Sequence, residues 1–281
     1  SITRCHSTCI CRFTEYEIID WPKYRRFDAD NNIKRNEDMM TLDFEPSEQG
    51  YGRAMAVFAH PDDAEWGCSG TASRWASENW EVIYVVCTDG SKGTNNRSIS
   101  SEELSDTRHK EQIKAGEIIG LKDVVFLDYP DGYLEPNLEL RRDITREIRK
   151  YKPGILICHY PMRSLDGPYQ GSGHPDHIAA GEAALSAVFP SARDHLTFPE
   201  LLDEGLEPWA VKEVWIMGHP SPDVFVDISL EFEKSVSALL AHKSQMSMTD
   251  AEVKAHLIEW KQSRAHGQGM KYAETFKRLK Y

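Results

Sequence analysis

Met55-Ala56-Val57-Phe58-Ala59-His60-Pro61-Asp62-Asp63-Ala64-Glu65 is the stretch on which the fold turns. Its first four residues form a short apolar run, the pattern of a buried strand. A His and two carboxylates follow within four residues, and then a helix-like segment over Gly67–Glu78. A polar cluster where a strand opens into a helix is the expected position of a ligand site in a parallel α/β sheet.

The pattern repeats outward from there. Apolar runs at 54–59, 82–87, 124–127 and 155–158 are rich in β-branched residues, and helix-length segments at 66–79, 102–119 and 138–151 separate them. Continuous apolar strands alternating with amphipathic helices predict a parallel sheet covered on both faces. Gly120 supplies a stop for the helix at 102–119. Beyond it come an Ala-rich helix at 175–189, a loop excursion at 190–210 and strands at 213–217 and 223–228. A helix near 229–245 and a polar helical tail to Tyr281 complete the chain. The expected fold is a Rossmann-like three-layer α/β/α domain with a mainly parallel central sheet. Residues 39–281 form that single domain, and 1–38 are read as an N-terminal extension, artefactual or a docked arm.

The bulk properties narrow the function. With 281 residues there is ample chain for a large core, and a net charge of −12 without a block of like charge argues against nucleic acid or an anionic membrane as partner. No apolar run approaches the roughly 20 residues of a membrane span. Cys87 and Cys158 sit inside apolar runs, Cys68 is isolated, and Cys5, Cys9 and Cys11 match no zinc spacing. With no signal-peptide pattern, a cytoplasmic location is expected.

Each strand end carries polar residues: His60 to Asp63, Thr88-Asp89-Gly90, Asp128 to Gly132, and His159. A second cluster, Gly173-His174-Pro175-Asp176-His177, opens the Ala-rich helix. Asp62 and Asp63 can be an incidental helix cap. Adjacent carboxylates repel, however, unless a cation compensates, and a divalent metal does so while leaving one of the two to handle a proton. His174 and His177 are three apart, and Pro175 suits a first helical turn, so both project from one helix end. Histidines with a carboxylate make a mixed N/O donor set suited to zinc with one position open to water.

The paired motifs His60-Pro-Asp-Asp-Ala-Glu65 and Gly173-His-Pro-Asp-His177 resemble the LmbE-like (PIG-L) family of zinc-dependent N-acetylglucosaminyl deacetylases, over about residues 53–246. Within it the likeness is nearest to diacetylchitobiose deacetylases, through Thr88-Asp89-Gly90, Gly93, Arg108-His-Lys-Glu111, Asp131, Val226-Asp227-Ile228 and His242-Lys-Ser-Gln245. The resemblance implies that His60, Asp63 and His177 bind one zinc per subunit and that Asp62 is the general base for water attacking the acetyl carbonyl. It further implies that a protonated His174 stabilises the oxyanion, with Asp176 orienting or charging it. Arg108 and Asp131 are expected to contact the sugar. The family commonly reads His-Pro-Asp-Asp-Glu, whereas here Ala64 is inserted before Glu65 or takes the Glu position, so Glu65 receives no role. Some members carry a Tyr two residues before the His at position 174; Ser172 stands there, with Tyr169 nearby. His159 and His219 are expected to be structural, and His109, His195, His242 and His256 to have no role. A small amino-sugar substrate and a homo-oligomer, trimer or hexamer, are the implied partners.

No G-x-S-x-G elbow or G-x-G-x-x-G loop is present, so a serine hydrolase and a dinucleotide site are not supported. The rivals are the same reaction on a thiol- or lipid-linked glucosaminyl conjugate and a nonenzymatic zinc- or sugar-binding protein. The latter has no use for Asp62.

Overall fold

Strand β1 (Arg53–Phe58) is an inner strand of a seven-stranded sheet in the computed structural model, which describes residues 51–163 and 173–281. All of them belong to one compact unit, 44–281. The expected extension at 1–38, Cys5, Cys9, Cys11, Tyr169 and Ser172 lie outside the described residues.

In chain order β1 is followed by α1 (Asp63–Gly67), α2 (Ser69–Ser77), β2 (Glu81–Thr88), α3 (Ser101–Ile119), β3 (Asp123–Tyr129), α4 (Leu138–Tyr151), β4 (Ile155–His159) and α5 (Pro175–Ser186). Then come α6 (Glu200–Asp203), β5 (Glu213–Met217), β6 (Val224–Asp227), α7 (Phe232–Leu239), α8 (Asp250–Ala265) and β7 (Ala273–Lys280). The strand order is β3-β2-β1-β4-β5-β7-β6. The first five strands are parallel, and β7 runs antiparallel between β5 and β6.

Both faces of the central strands are buried, and successive side chains point alternately into two cores. Met55, Val57, Ile83, Val85, Leu156 and Cys158 pack with Ile144 and Ile148 of α4 and Ala180 and Ala184 of α5. The opposite face carries Phe58, Tyr84 and Trp215, and Trp75 of α2 meets Trp215 with centroids 5.2 Å apart. The three-layer, mainly parallel architecture expected from the sequence is the one observed.

Three boundaries differ from expectation. The segment at 66–79 is two helices broken at Cys68, and α7 covers only the middle of 229–245. The polar tail is α8 followed by a strand. Half of β7's eight residues are charged, which hides its alternation, yet Ala273 and Phe276 are fully buried.

The sequence of connections positions the site. Strand order reverses between β1 and β4, where Val57 pairs with Cys158, and the loops leaving both strands diverge there to form a crevice. Helix α5 lies tight against that point: a Cβ on Gly181 would stand 2.5 Å from the His159 carbonyl oxygen. Helix α3 is held by a capping box between Ser100 and Glu103 and ends at Gly120 with φ 90°.

Candidate active site and metal centre

The crevice between β1 and β4 gathers most of the polar residues that sequence reasoning singled out. Asp63 begins α1, directly after the β1 loop. His177 lies in the first turn of α5, which Pro175 starts and the His174 side chain caps: the Asp176 N–H donates to His174 Nδ1 at 3.2 Å. His60 Nδ1 and His177 Nε2 are 3.2 Å apart, His177 Nε2 and Asp63 Oδ1 3.1 Å, and His60 Nδ1 and Asp63 Oδ2 3.4 Å. A tetrahedral ion with ligand bonds of about 2.0–2.1 Å separates its donors by about 3.3 Å, so this triangle fits one. Two overlapping groups, His60–His174–His177 and Asp63–His159–His177, share its members, and His60, Asp131 and Asp176 form a third group able to hold a metal ion.

The electrostatics also favour a cation. Burial pushes the His60 imidazole down, but Asp131, Asp176 and Asp63 outweigh it and hold the ring well above its ordinary range. For Asp63, burial is outweighed by His177 and His159, and its carboxyl falls well below the usual range. Three carboxylates thus converge on one imidazole in a buried place, an arrangement stable only with positive charge among them.

Asp62 stands beside this triangle in an unusual conformation, φ 100° and ψ −23°, which L-residues rarely adopt. Its N–H donates to Gln112 Oε1 at 3.1 Å, and Gln112 Nε2 donates to Glu65 Oε1 at 2.9 Å. Burial and the neighbouring Asp63 push the Asp62 carboxyl up to about 6, against the pull of Arg108, His242 and His60.

Two expected roles meet different surroundings. Asp176 does not orient His174 through its carboxylate. Instead the carboxylate lies 3.1 Å from His60 Nε2 and accepts from the N–H groups of Gly132 at 2.7 Å and Leu134 at 3.3 Å. Nor do its surroundings favour a charged His174: burial, with His60 and His177 close by, lowers its pKa. Because Nδ1 accepts from Asp176 N–H, the neutral ring carries its proton on Nε2.

Arg108 and Asp131 are buried rather than presented at a surface. The Arg108 guanidinium donates to the carbonyls of Pro61 at 2.6 Å and of Gly90 and Lys92 at 3.2 Å each. Asp131 accepts from Lys92 N–H at 3.0 Å and faces His60 Nε2 at 3.3 Å. Both tie the β1, β2 and β3 loops together. Gly90, at φ 61°, fits among them because a Cβ would press on Pro61 and on Arg108 Nε.

Four residues without an expected role, or with only a structural one, belong to this environment. His159 stacks on His177 with ring centroids 4.1 Å apart and brings Nε2 to 3.1 Å from Asp63 Oδ2; burial and His177 push it down to about 4. Glu65 and Gln112 support Asp62, and His242 lies 3.2 Å from Glu65 Oε2 in full burial. One signal for Gln112 was available. Leu104, Arg108, Gln112, Ala115 and Ile119 form the buried stripe of α3, and two polar residues in such a stripe need partners.

A cavity of about 870 Å³ opens from Asp62, Asp63 and His177, passes Trp66 and Met217, and reaches Trp260 and Arg264 of α8 and Thr275 of β7. His219 and His256 also line it. His109 instead stacks on Phe126, and His195 is exposed. No helix among the described residues is long and apolar enough to cross a membrane.

Fold and site together define an α/β protein whose His–Asp cluster, able to hold a metal ion, sits at the switch point of a Rossmann-like sheet. Residues 55–188 match the family model described as PIG-L, GlcNAc-PI de-N-acetylase. The chain is 34% identical to a diacetylchitobiose deacetylase of Thermococcus kodakarensis over 73% of its own length and 74% of the relative's. It is 30% identical to a probable N-acetyl-α-D-glucosaminyl L-malate deacetylase of Bacillus anthracis, covering 73% of this chain and 90% of that one. The solved N,N′-diacetylchitobiose deacetylase of Pyrococcus horikoshii superposes with a TM-score of 0.74 at 29% identity, over 82% of this chain and 84% of that one. The chain belongs to the PIG-L, or LmbE-like, deacetylase family and is a hydrolase.

Proposed function

We propose that this protein is a zinc-dependent hydrolase that removes the N-acetyl group from a small N-acetylglucosamine-containing substrate of the chitobiose type. The observation that carries this reading is the triangle of His60 Nδ1, Asp63 and His177 Nε2, with edges of 3.1–3.4 Å, beside Asp62 at one end of a cleft. The named activities of the diacetylchitobiose relatives support the substrate class.

His60, Asp63 and His177 would hold one zinc per subunit. A bound zinc supplies Lewis acidity, lowering the pKa of water and polarising the acetyl carbonyl. The chain's own residues do the rest. Asp62, held by Gln112 and raised toward neutrality, accepts the proton of the attacking water and returns it to the departing amine. His174 donates its Nε2–H to the developing oxyanion. Asp176 and Asp131 hold His60, His159 holds Asp63, and Arg108 fixes the loop carrying Asp62. Acetate and a free glucosamine amine are the products. Assembly as a homo-oligomer and a cytoplasmic location belong to the same reading.

Acetate release from N,N′-diacetylchitobiose tests it, comparing metal-loaded protein, chelated protein and Asp62→Ala. The expected outcome is release only with metal, falling by about 10²–10⁴ in a variant that still binds the ion. Metal binding without acetate from any N-acetylglucosaminyl compound would favour the nonenzymatic alternative. Failure of the wild-type protein to bind metal overturns the reading.

A further inference from the structure

Glu65 and His242 form a charged pair in nearly complete burial, and neither lines the cleft. His242 Nε2 stands 3.2 Å from Glu65 Oε2, an oxygen with no other polar partner among the described residues. A fold gains little from such a pair, because apolar side chains of similar volume are often as stable or more so. What the pair does hold is one end of a chain of polar groups that finishes at Asp62. We propose that His242 is a positioning residue for the hydrolysis: through Glu65 it fixes the way round in which Gln112 presents its amide, and so holds Asp62 in its working conformation. The inference rests on the deacetylase reading above.

The polarity of the chain runs one way. Glu65 Oε1 accepts from Gln112 Nε2 at 2.9 Å, and Gln112 Oε1 accepts from the Asp62 N–H at 3.1 Å. Turned over, the Gln112 amide would set N–H against N–H at Asp62 and oxygen against oxygen at Glu65. An ionised carboxylate only accepts, so Glu65 permits one orientation. The carboxylate could swing by itself, and His242 is the group that meets its second oxygen. Asp62 needs the restraint, because its φ of 100° is one that an L-residue keeps only when its surroundings impose it.

His242 is anchored to both helices that the chain joins. It follows α7, where its N–H donates to the Leu239 carbonyl at 3.1 Å, and it opens the turn Lys243–Gln245. In that turn the Ser244 N–H donates to Glu111 Oε1 at 2.7 Å and Ser244 Oγ to Glu111 Oε2 at 2.6 Å. One short segment therefore meets α1 at Glu65 and grips α3 at the residue before Gln112. The electrostatics agree. Burial pushes the His242 ring down, but Glu65, Asp62 and Glu111 outweigh it and raise its pKa, which favours a positive ring against the carboxylate.

The test pairs the kinetics of acetate release from N,N′-diacetylchitobiose with the exchange rate of the Asp62 main-chain N–H, read by NMR on metal-free protein. Wild type, His242→Phe, His242→Gln, Gln112→Met and the His242→Phe/Gln112→Met double variant are compared, with metal content and melting temperature measured for each. His242→Phe keeps a ring and removes its N–H. It is expected to lower kcat about 5- to 20-fold, to leave KM and bound metal within about 2-fold, and to speed exchange at Asp62. His242→Gln, whose amide can offer an N–H to Glu65 Oε2, is expected to restore most of both. The double variant is expected to match Gln112→Met alone, since both changes act through one amide. Additive losses, or a lowered melting temperature with kcat and exchange unmoved, overturn the proposal. If His242→Phe fails to fold, His242→Asn, too short to reach Glu65, takes its place with the same expectations. No acetate from the wild type overturns the deacetylase reading, while exchange at Asp62 still decides whether His242 positions it.

Discussion

Gln112 Oε1 accepts the main-chain N–H of Asp62 at 3.1 Å, and Asp62 is held at a φ of 100° that its side chain disfavours. The strain is localised at the residue assigned the proton transfer, and the amide that restrains it comes from a helix residue 50 positions away in sequence. Gln112→Met keeps the length of the side chain and removes both hydrogen bonds. It is expected to lower kcat by about 10- to 100-fold with little change in KM or bound metal. A group with only a structural role would instead lower the melting temperature and leave kcat alone. Steady-state kinetics beside metal analysis distinguish the two.

His174 is expected to act as a neutral donor. Burial and the nearby His60 and His177 keep its pKa below the ordinary value, so the ring is uncharged at neutrality and its Nε2–H persists as pH rises further. His174→Ala is expected to lower kcat by about 10²–10³, and His174→Gln, which retains an N–H donor, to lose less. The rate should show no decline through neutrality that disappears on replacing His174. Finding such a decline would mean that the charged ring is the working form.

Glu274 concentrates a different kind of energy. Its carboxylate accepts from Gly70 N–H at 3.1 Å, Thr71 N–H at 2.7 Å and Thr71 Oγ1 at 2.6 Å, and pairs with Lys261 at 3.1 Å, all in near-complete burial. Glu274→Gln leaves the Lys261 ammonium buried without its counter-charge and is expected to cost about 3–5 kcal/mol of stability. Lys261→Met added to Glu274→Gln is expected to recover part of that loss. Urea denaturation of the single and double variants measures both.

The sheet was legible in the sequence where burial is two-sided. Strands β1, β2 and β4 are apolar almost throughout because helices cover both faces, and the sequence shows this directly. Strand β7 was not legible: its charged side chains reach solvent or, at Glu274, a buried lysine, and no local pattern separates it from a polar helix. The site divides the same way. His60, Asp62, Asp63, His174 and His177 lie in two short motifs at a strand end and a helix start, so topology alone brings them near one another. Glu65, Gln112, His159 and His242 owe their places to contacts between distant segments, such as Gln112 to Glu65 and His159 to Asp63. A lone polar residue signals nothing until its partner is known. Asp176 shows the limit of motif reading, because its position beside His174 suggested a pairing that its rotamer gives to His60.

The placement of β7 ties the cleft to the order of synthesis. Among the described residues, strand β6 is an edge strand that pairs only with β7, and β7 also supplies Glu274 and Thr275 to the cleft wall. As the chain leaves the ribosome, every group of the candidate metal centre has emerged well before this strand. A nascent or clipped chain lacking residues 273–280 therefore carries the whole metal-binding set yet has an unpaired β6, a Lys261 without its carboxylate and a cleft open on one side. The candidate metal-binding residues lie within 60–177, whereas the cleft wall is completed by a strand about a hundred positions further along the chain.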